Sequence, residues 1–212
     1  MPPSQRRQPK QARSRELVDR ILTSAGELFA SQGYPNVTTN HIAEHAGVSV
    51  GSLYQFFADK EEILAALQDK WTTRLGAELD ERLRVGPDTD IAETVDQVLD
   101  VHAALNRHPP GLLGFLLIST ANTGHGNGVV AAIHERLVDL LALRARLLSR
   151  QQMDVVASML VHITNGLYSV GLAAGANDPA VRAEVRAALL GYLTPMLTAS
   201  DQSETRVLPG SR

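Results

Sequence analysis

The sequence predicts an all-α protein with a compact N-terminal reader and a larger helical body, about nine helices in all. Three observations predict it. Hydrophobic residues make up 44% of the chain, rich in Ala and Leu, while aromatics make up 4%; Ala and Leu suit helices, whereas strands favour β-branched and aromatic side chains. Apolar residues recur at three- and four-residue steps, and no credible strand stands out. Capping residues, glycines and prolines punctuate these stretches where helices should begin and end.

Residues 1–12, rich in Pro, Gln and Arg, are expected to form a disordered basic arm. A helix should run from Ser14, with Leu17, Ile21, Leu22, Ala25, Leu28 and Phe29 on one face, to Gly33. Tyr34–Val37 reads as a turn. Two short helices fit Thr39–Ala46 and Ser49–Phe56, separated by Gly47-Val48. Asp59-Lys60-Glu61-Glu62 forms a capping box. It opens a helix whose stripe is Leu64, Leu67, Trp71, Leu75, Leu79 and Leu83, stopping near Gly86-Pro87.

The next helix carries Ile91, Val95, Val98, His102 and Leu105 and ends before Pro109-Pro110. A short apolar helix spans Gly111–Thr120, followed by the loop NTGHGNG. Three longer helices complete the body: about Val129–Ser149, about Gln151–Ala174, and one opened by Asp178-Pro179, a cap followed by proline at the first helical position. The expected organisation is therefore an arm at 1–12, a reader at 13–60, a body at 61–199 and a disordered tail at 200–212.

Composition narrows the function. With no cysteine, disulfides and thiolate sites are excluded, which suits a reducing compartment. The N-terminus lacks the apolar core of a secretory signal, and the run Gly111–Ile118 is too short to span a bilayer. The expectation is a cytoplasmic protein with no membrane partner. Net charge is −3 overall, yet residues 1–60 hold seven Lys/Arg against five Asp/Glu. Arg6, Arg7, Lys10, Arg13 and Arg15 precede any acid, so a polyanion is expected at this end.

The two short helices define a helix-turn-helix. Thr39 can cap the first; Ile42, Ala46, Val48, Leu53 and Phe56 are spaced to share a small core. Ala43 sits where the helices cross, Gly47 supplies the left-handed turn, and Ser49 caps the second helix. The N-terminal residues of such a second helix can enter a major groove. Val50, Gly51, Ser52, Tyr54 and Gln55 then face outward. Gly51 lets the backbone approach closely, Ser52 and Gln55 can bond base edges, and Val50 can touch a thymine methyl. Tyr54 and Lys60 suit phosphate oxygens.

The stretch ILTSAGELFASQGYPNVTTNHIAEHAGVSVGSLYQFFADKEEIL, Ile21 to Leu64, resembles the TetR family of transcriptional regulators in its "LF…GY", "TT", "IA…AGVS.G.LY.FF" and "KEE.L" elements. The resemblance implies that Thr39, Val50, Gly51, Ser52, Tyr54, Gln55 and Lys60, with Ser49 opening the groove helix, form the DNA-binding set. The family often has Lys where this chain has Val50, which implies a shifted operator preference. It also implies a double-stranded DNA operator, a homodimer and a small-molecule effector.

Two enzyme-like patterns overlap this segment. His41-Ile42-Ala43-Glu44-His45 reads H-x-x-E-H, and Gly47-Val48-Ser49-Val50-Gly51 reads G-x-S-x-G. The first needs a third ligand and a longer helix; the second needs a strand before the serine. Both are expected to be coincidences of a helix-turn-helix, so no catalytic residue, metal or cofactor is assigned.

In the body, the helix Gln151–Ala174 carries Met153, Val156, Leu160, Ile163, Leu167 and Val170 on one face and Ala157, Val161, Thr164 and Tyr168 on another. The last helix carries Val181, Val185, Ala188, Tyr192 and Met196, and separately Leu190, Leu193 and Leu197. Helices apolar on two sides need two partners, so a homodimer through Gln151–Ala174 and Asp178–Leu197 is expected. Polar residues on apolar stripes mark a ligand site: His102, His134, Arg144, His162, Asn165 and Tyr168. Trp71 and Leu75 read as core, and the resemblance adds them to the ligand site because it implies that their helix connects the DNA-binding head to the pocket. The function expected is a repressor released from a palindromic operator by an apolar or amphipathic ligand. The alternatives are an activator or co-repressor-dependent regulator, or a helical ligand binder without sequence-specific DNA binding.

Overall fold

The computed structural model describes residues 7–83, 86, 89–107, 109, 111–118, 128–144, 148–170 and 178–204. Among them are nine α-helices and no strand: α1 (Arg7–Gln32), α2 (Thr39–His45), α3 (Val50–Tyr54), α4 (Lys60–Arg82), α5 (Ile91–Leu105), α6 (Leu112–Ile118), α7 (Gly128–Arg144), α8 (Arg150–Val170) and α9 (Pro179–Glu204). A single 3₁₀ turn, Tyr34–Asn36, joins α1 to α2. The loop NTGHGNG up to Asn127, and residues 1–6 and 205–212, lie outside the described residues.

α1 begins at Arg7, about two turns earlier than the apolar pattern from Ser14 predicts. Gln, Lys, Ala and Arg are good helix formers, and Pro9 falls in the first turn, where a missing N–H loses no intrahelical bond. Arg7, Lys10, Arg13 and Arg15 therefore extend a helix instead of preceding it. The C-terminal boundary moves likewise, with α9 continuing through residues 200–204.

The apolar face of α1 builds the reader's core. Ile21, Leu22, Ala25 and Phe29 pack with Ile42 and Ala43 of α2, Leu53 of α3 and Ile63, Leu64 and Leu67 of α4. This core does not end at residue 60. It continues along α4 through Trp71 and Leu75 to Leu112, Leu113 and Leu116 of α6, so α4 belongs to the reader and the body together. A second cluster joins α5, α7, α8 and α9 through Val95, Leu99, Val138, Leu160, Leu189 and Leu193.

On α8 the side turned from the body differs from the expected one. α7, α9 and α6 all pack against this helix, and they bury Ala157 and Val161. The outward stripe is instead Val155, Met159, His162 and Gly166, a four-three-four spacing on one helical face. On α9, Val185, Leu189 and Leu193 are buried, while Ala187, Ala188, Gly191 and Thr194 face out.

One close approach ties body to reader. A Cβ placed on Gly26 of α1 would lie 2.8 Å from Leu112 Cδ2 of α6, so any larger residue would force the buried Leu112 side chain to shift. Gly76 of α4, by contrast, has nothing within 4 Å of the corresponding position. Gly26→Val is therefore expected to lower unfolding free energy by about 1–3 kcal/mol through overpacking. Gly76→Ala should leave it unchanged or raise it by up to about 1 kcal/mol. Urea unfolding of both variants checks the pair.

Candidate functional site

The reader is set by its caps. Thr38, not Thr39, is the N-cap of α2: its hydroxyl accepts from the His41 N–H at 3.2 Å. The first helical position thus falls to Thr39, whose Oγ1 lies 3.0 Å from Tyr54 Oη on α3. Two adjacent threonines offer the same chemistry, and the extended backbone at residue 38 selects which one caps. Gly47 holds φ 64° at the turn, and Ser49 caps α3, accepting from the Ser52 N–H at 3.0 Å.

Leu53, fully buried with Ile42 and Ala43, seats α3 on α2. The opposite face is open: Val50 is 39% exposed, Tyr54 49%, and Gly51 and Gln55 are also exposed. Ser52 is half-buried, with its hydroxyl 2.7 Å from that of Ser49. The Tyr54–Thr39 bond orients the phenol, while Gln55 extends past the last helical turn with its amide side chain exposed. Such a surface offers one amide, two hydroxyl-bearing side chains and a methyl-bearing contact without a flanking Cβ at Gly51.

Lys60 is placed differently from expectation. Its ammonium donates to the carbonyls of Tyr34 and Val37, each at 2.8 Å, and sits 4.0 Å from the Tyr34 ring centroid. Burial lowers its pKa, and the nearby Glu61 carboxylate opposes that shift. The side chain closes the 3₁₀ turn in place of reaching toward a phosphate, because the turn's carbonyls lie within reach of the first residue of α4. Asp59 caps that helix, accepting from the Glu62 N–H at 2.8 Å, and Glu62 accepts in return from the Ala58 N–H at 2.5 Å.

The enzyme-like residues serve local structure. His41 and His45 are exposed on the seven-residue α2, and His45 Nδ1 lies 3.6 Å from Glu27 of α1. Among the described residues no group of three His, Cys, Asp or Glu could hold a metal ion.

A cavity of about 140 Å³ lies where the two apolar clusters meet. Its wall takes Leu75, Leu79 and Leu83 from α4, Val95, Val98 and His102 from α5, and leucines from α6 to α9. Of the expected ligand residues, Leu75 and His102 line it. Trp71 instead packs in the reader-side core, with the Arg74 guanidinium 4.9 Å from its ring. His134 is turned to α8, its Nε2 lying 3.1 Å from the Asp154 carbonyl oxygen. His162 faces outward, its Nδ1 2.7 Å from the Ser158 carbonyl oxygen. The side chains of Arg144, Asn165 and Tyr168 lie outside the described residues. Single-helix periodicity places a residue on a stripe but does not say which neighbour covers it, which is why these histidines misled.

Three polar lining residues were missed: Thr94, Arg136 and Thr164. Arg136 had a signal, since it follows Ile133 by three positions on the stripe with Leu137 and Leu140. Inside the wall, burial pushes His102 down to about 4, so it is neutral at physiological pH.

Comparison with known proteins places this arrangement. A model of bacterial regulatory proteins of the tetR family matches residues 21–67, and a model of the tetracyclin repressor-like C-terminal domain matches residues 90–193. The chain belongs to the tetR family of bacterial regulatory proteins. It is 48% identical over 44 residues to the HTH-type transcriptional regulator HbdR of an Aromatoleum strain, a match covering 21% of this chain and 19% of that one. The chain thus aligns with only about a fifth of that relative's length.

With the HTH-type regulator BetI of Burkholderia lata it shares 27% identity over 182 residues, covering 78% of this chain and 85% of that one. A tetR-family regulator structure from Streptomyces coelicolor superposes with a TM-score of 0.64 at 28% identity, covering 87% of this chain and 99% of the other.

Replacing Lys60 by Met removes the donor to Val37 and should destabilise the protein by about 1–3 kcal/mol in urea unfolding, as expected for a part-buried charge-assisted bond. A lysine serving only phosphate would leave stability unchanged. His102 gives a pH signature. Its folded pKa lies below the unfolded value of 6.5, so the unfolded chain binds more protons between these values. The stability it contributes is complete above pH 6.5 and is lost as pH falls toward about 4. His102→Leu should flatten the melting temperature across that window.

Proposed function

We propose that the chain is a homodimeric DNA-binding transcriptional repressor that leaves a palindromic operator when a small apolar or amphipathic ligand fills the body. The observation that carries this reading is the outward face of α3, where Val50, Gly51, Tyr54 and Gln55 stand exposed on a helix whose opposite face is locked by Leu53. Arg13 and Arg15, exposed on α1, supply cations that favour a phosphate backbone. Lys60, bonded inward, orients the reader, and Tyr54 remains the hydroxyl for phosphate.

A two-fold pairing is supported by α8 and α9. Val155 is 55% exposed and Met159 49% exposed, and both share the outward stripe of α8 with Gly166. Small residues on α9 would let a second copy approach closely. Two readers paired in this way match half-sites about one helical turn apart. The apolar cavity beside α4 supplies the place for an effector, since Leu75, Leu79 and Leu83 put the same helix in the wall that the reader uses as its support. The relatives above are regulators, which supports the reading of a non-enzymatic protein, and no helix among the described residues is long and apolar enough to cross a membrane.

Selection of bound fragments from a random duplex pool should return an inverted repeat, with affinity falling steeply as salt rises. Gln55→Ala should relax preference at one base position by about 1–3 kcal/mol, and a Val155→Arg/Met159→Glu double variant should shift the protein to monomer in sedimentation and weaken operator binding. Equal binding of operator and random duplex would overturn the reading.

A further inference from the structure

The cavity wall has an unequal distribution of charge. Its interior is lined mostly by aliphatic side chains, with Thr164, Thr94 donating its hydroxyl to the Asp90 carbonyl at 3.0 Å, and the half-buried, neutral His102. Among the described lining residues Arg136 alone carries a charge. Its side chain is 43% exposed, so it stands where the cavity reaches solvent. The guanidinium pairs with Asp80 of α4 at 2.5 Å. Asp80 is 73% exposed, and ion pairs this open contribute little to stability.

We propose that the effector is an aliphatic monoanion, a medium-chain carboxylate, whose tail fills the leucine-lined interior and whose head takes Arg136 from Asp80. This rests on the ligand-responsive reading above and names the chemistry of its site. The interior disfavours a second charge, because apart from Arg136 the polar side chains among its described lining are only Thr94, Thr164 and the neutral His102, none of which carries a charge to offset the lost hydration. A guanidinium receives a carboxylate through paired N–H donors, and Asp80 is itself a carboxylate, so the ligand's head replaces like with like. Asp80 then returns to water at little cost. A volume near 140 Å³ is of the order that accepts a benzene-sized apolar molecule, which favours a chain of medium length. The exchange also removes an ion pair joining α7 to α4.

The test compares octanoate with 1-octanol, followed by the fluorescence of Trp71, the only tryptophan in the chain, and by calorimetry. Octanoate should bind about two- to fivefold more tightly than octanol, as one charge-assisted contact at a half-exposed site implies. Arg136→Gln should abolish that preference while leaving octanol binding within about twofold. Asp80→Asn, which keeps Arg136 and removes its competitor, should tighten octanoate severalfold and keeps the test valid if R136Q folds poorly. Equal affinity for the two probes in the unaltered protein, or an undiminished preference for octanoate in folded R136Q, overturns the proposal. If octanol releases operator DNA as well as octanoate does, the anion proposal fails while the ligand-responsive reading stands. If octanoate binds with the stated preference but neither probe alters operator binding, the site assignment holds and the regulatory reading fails.

Discussion

The ammonium of Lys60 holds three pieces of chain at one point. It is the first helical residue of α4, it donates to carbonyls on both sides of the turn between α1 and α2, and it lies against the Tyr34 ring. Val37, whose carbonyl it takes, is fully buried and immediately precedes the Thr38 cap of α2. The start of α2 is therefore fixed to the start of α4, and α3 follows because Leu53 is locked against α2. Any displacement of the N-terminal end of α4 must carry the exposed residues of α3 with it. A lysine turned outward would have left α4 joined to the reader by apolar contacts and the exposed Lys70–Asp19 pair, which resist separation but specify angle less tightly than directed, part-buried hydrogen bonds.

The rest of α4 faces a different environment. From Leu75 onward it enters the wall of the cavity, and α6 adds a second connection where Leu112 fits over Gly26. A ligand can shift such an assembly only by binding one arrangement of the helices more tightly than the other. Coupling energies between distant sites are typically about 1–3 kcal/mol, which a difference in burial of one aliphatic side chain among Leu75, Leu79 and Leu83 would supply. The gap between the two apolar clusters is thus the part of the core where packing is incomplete and where a change of arrangement is cheapest.

Much of this was legible in the sequence, and the reasons for success and failure are physical. The reader was readable because each of its elements depends on local chemistry: Gly47 at a left-handed turn, Ser49 as a cap, and the spacing that buries Ile42 and Leu53 while exposing Tyr54. Errors arose wherever a partner from elsewhere in the chain decided the matter. Lys60 has carbonyls more than twenty positions earlier within reach. His134 meets the backbone of α8, and Ala157 and Val161 are covered by neighbouring helices. Arg136 was passed over although Arg144, on the same stripe, was assigned to the site; the long arginine stem lines the cavity while the head pairs with Asp80 of another helix, a partner that single-helix periodicity does not show. The start of α1 was missed for the opposite reason: a proline and charged residues read as disorder, though the first turn of a helix tolerates both.

The ranking of the links along α4 decides which end can move. At its N-terminal end the helix is held by two charge-assisted bonds at 2.8 Å, a reciprocal cap and the fully buried Ile63 and Leu67. From Arg74 onward its polar links to the body, among the described residues, include the Arg74 bond to the Ala104 carbonyl at 3.3 Å and the exposed Arg136–Asp80 pair. Exposed pairs contribute at most about 1 kcal/mol, whereas stripping apolar burial from even one leucine costs about 1.5–3 kcal/mol. In the proposed ligand-responsive reading, the reader and the first turns of α4 would therefore move as one piece, and the distal turns, which line the cavity, would be the ones a bound ligand displaces. Because a rigid helix is a lever, a small shift at Leu79 becomes a rotation of the reader about its own junction with the body. In a two-fold pair that rotation would change the spacing between the two copies of α3, the quantity on which simultaneous entry into two major grooves depends.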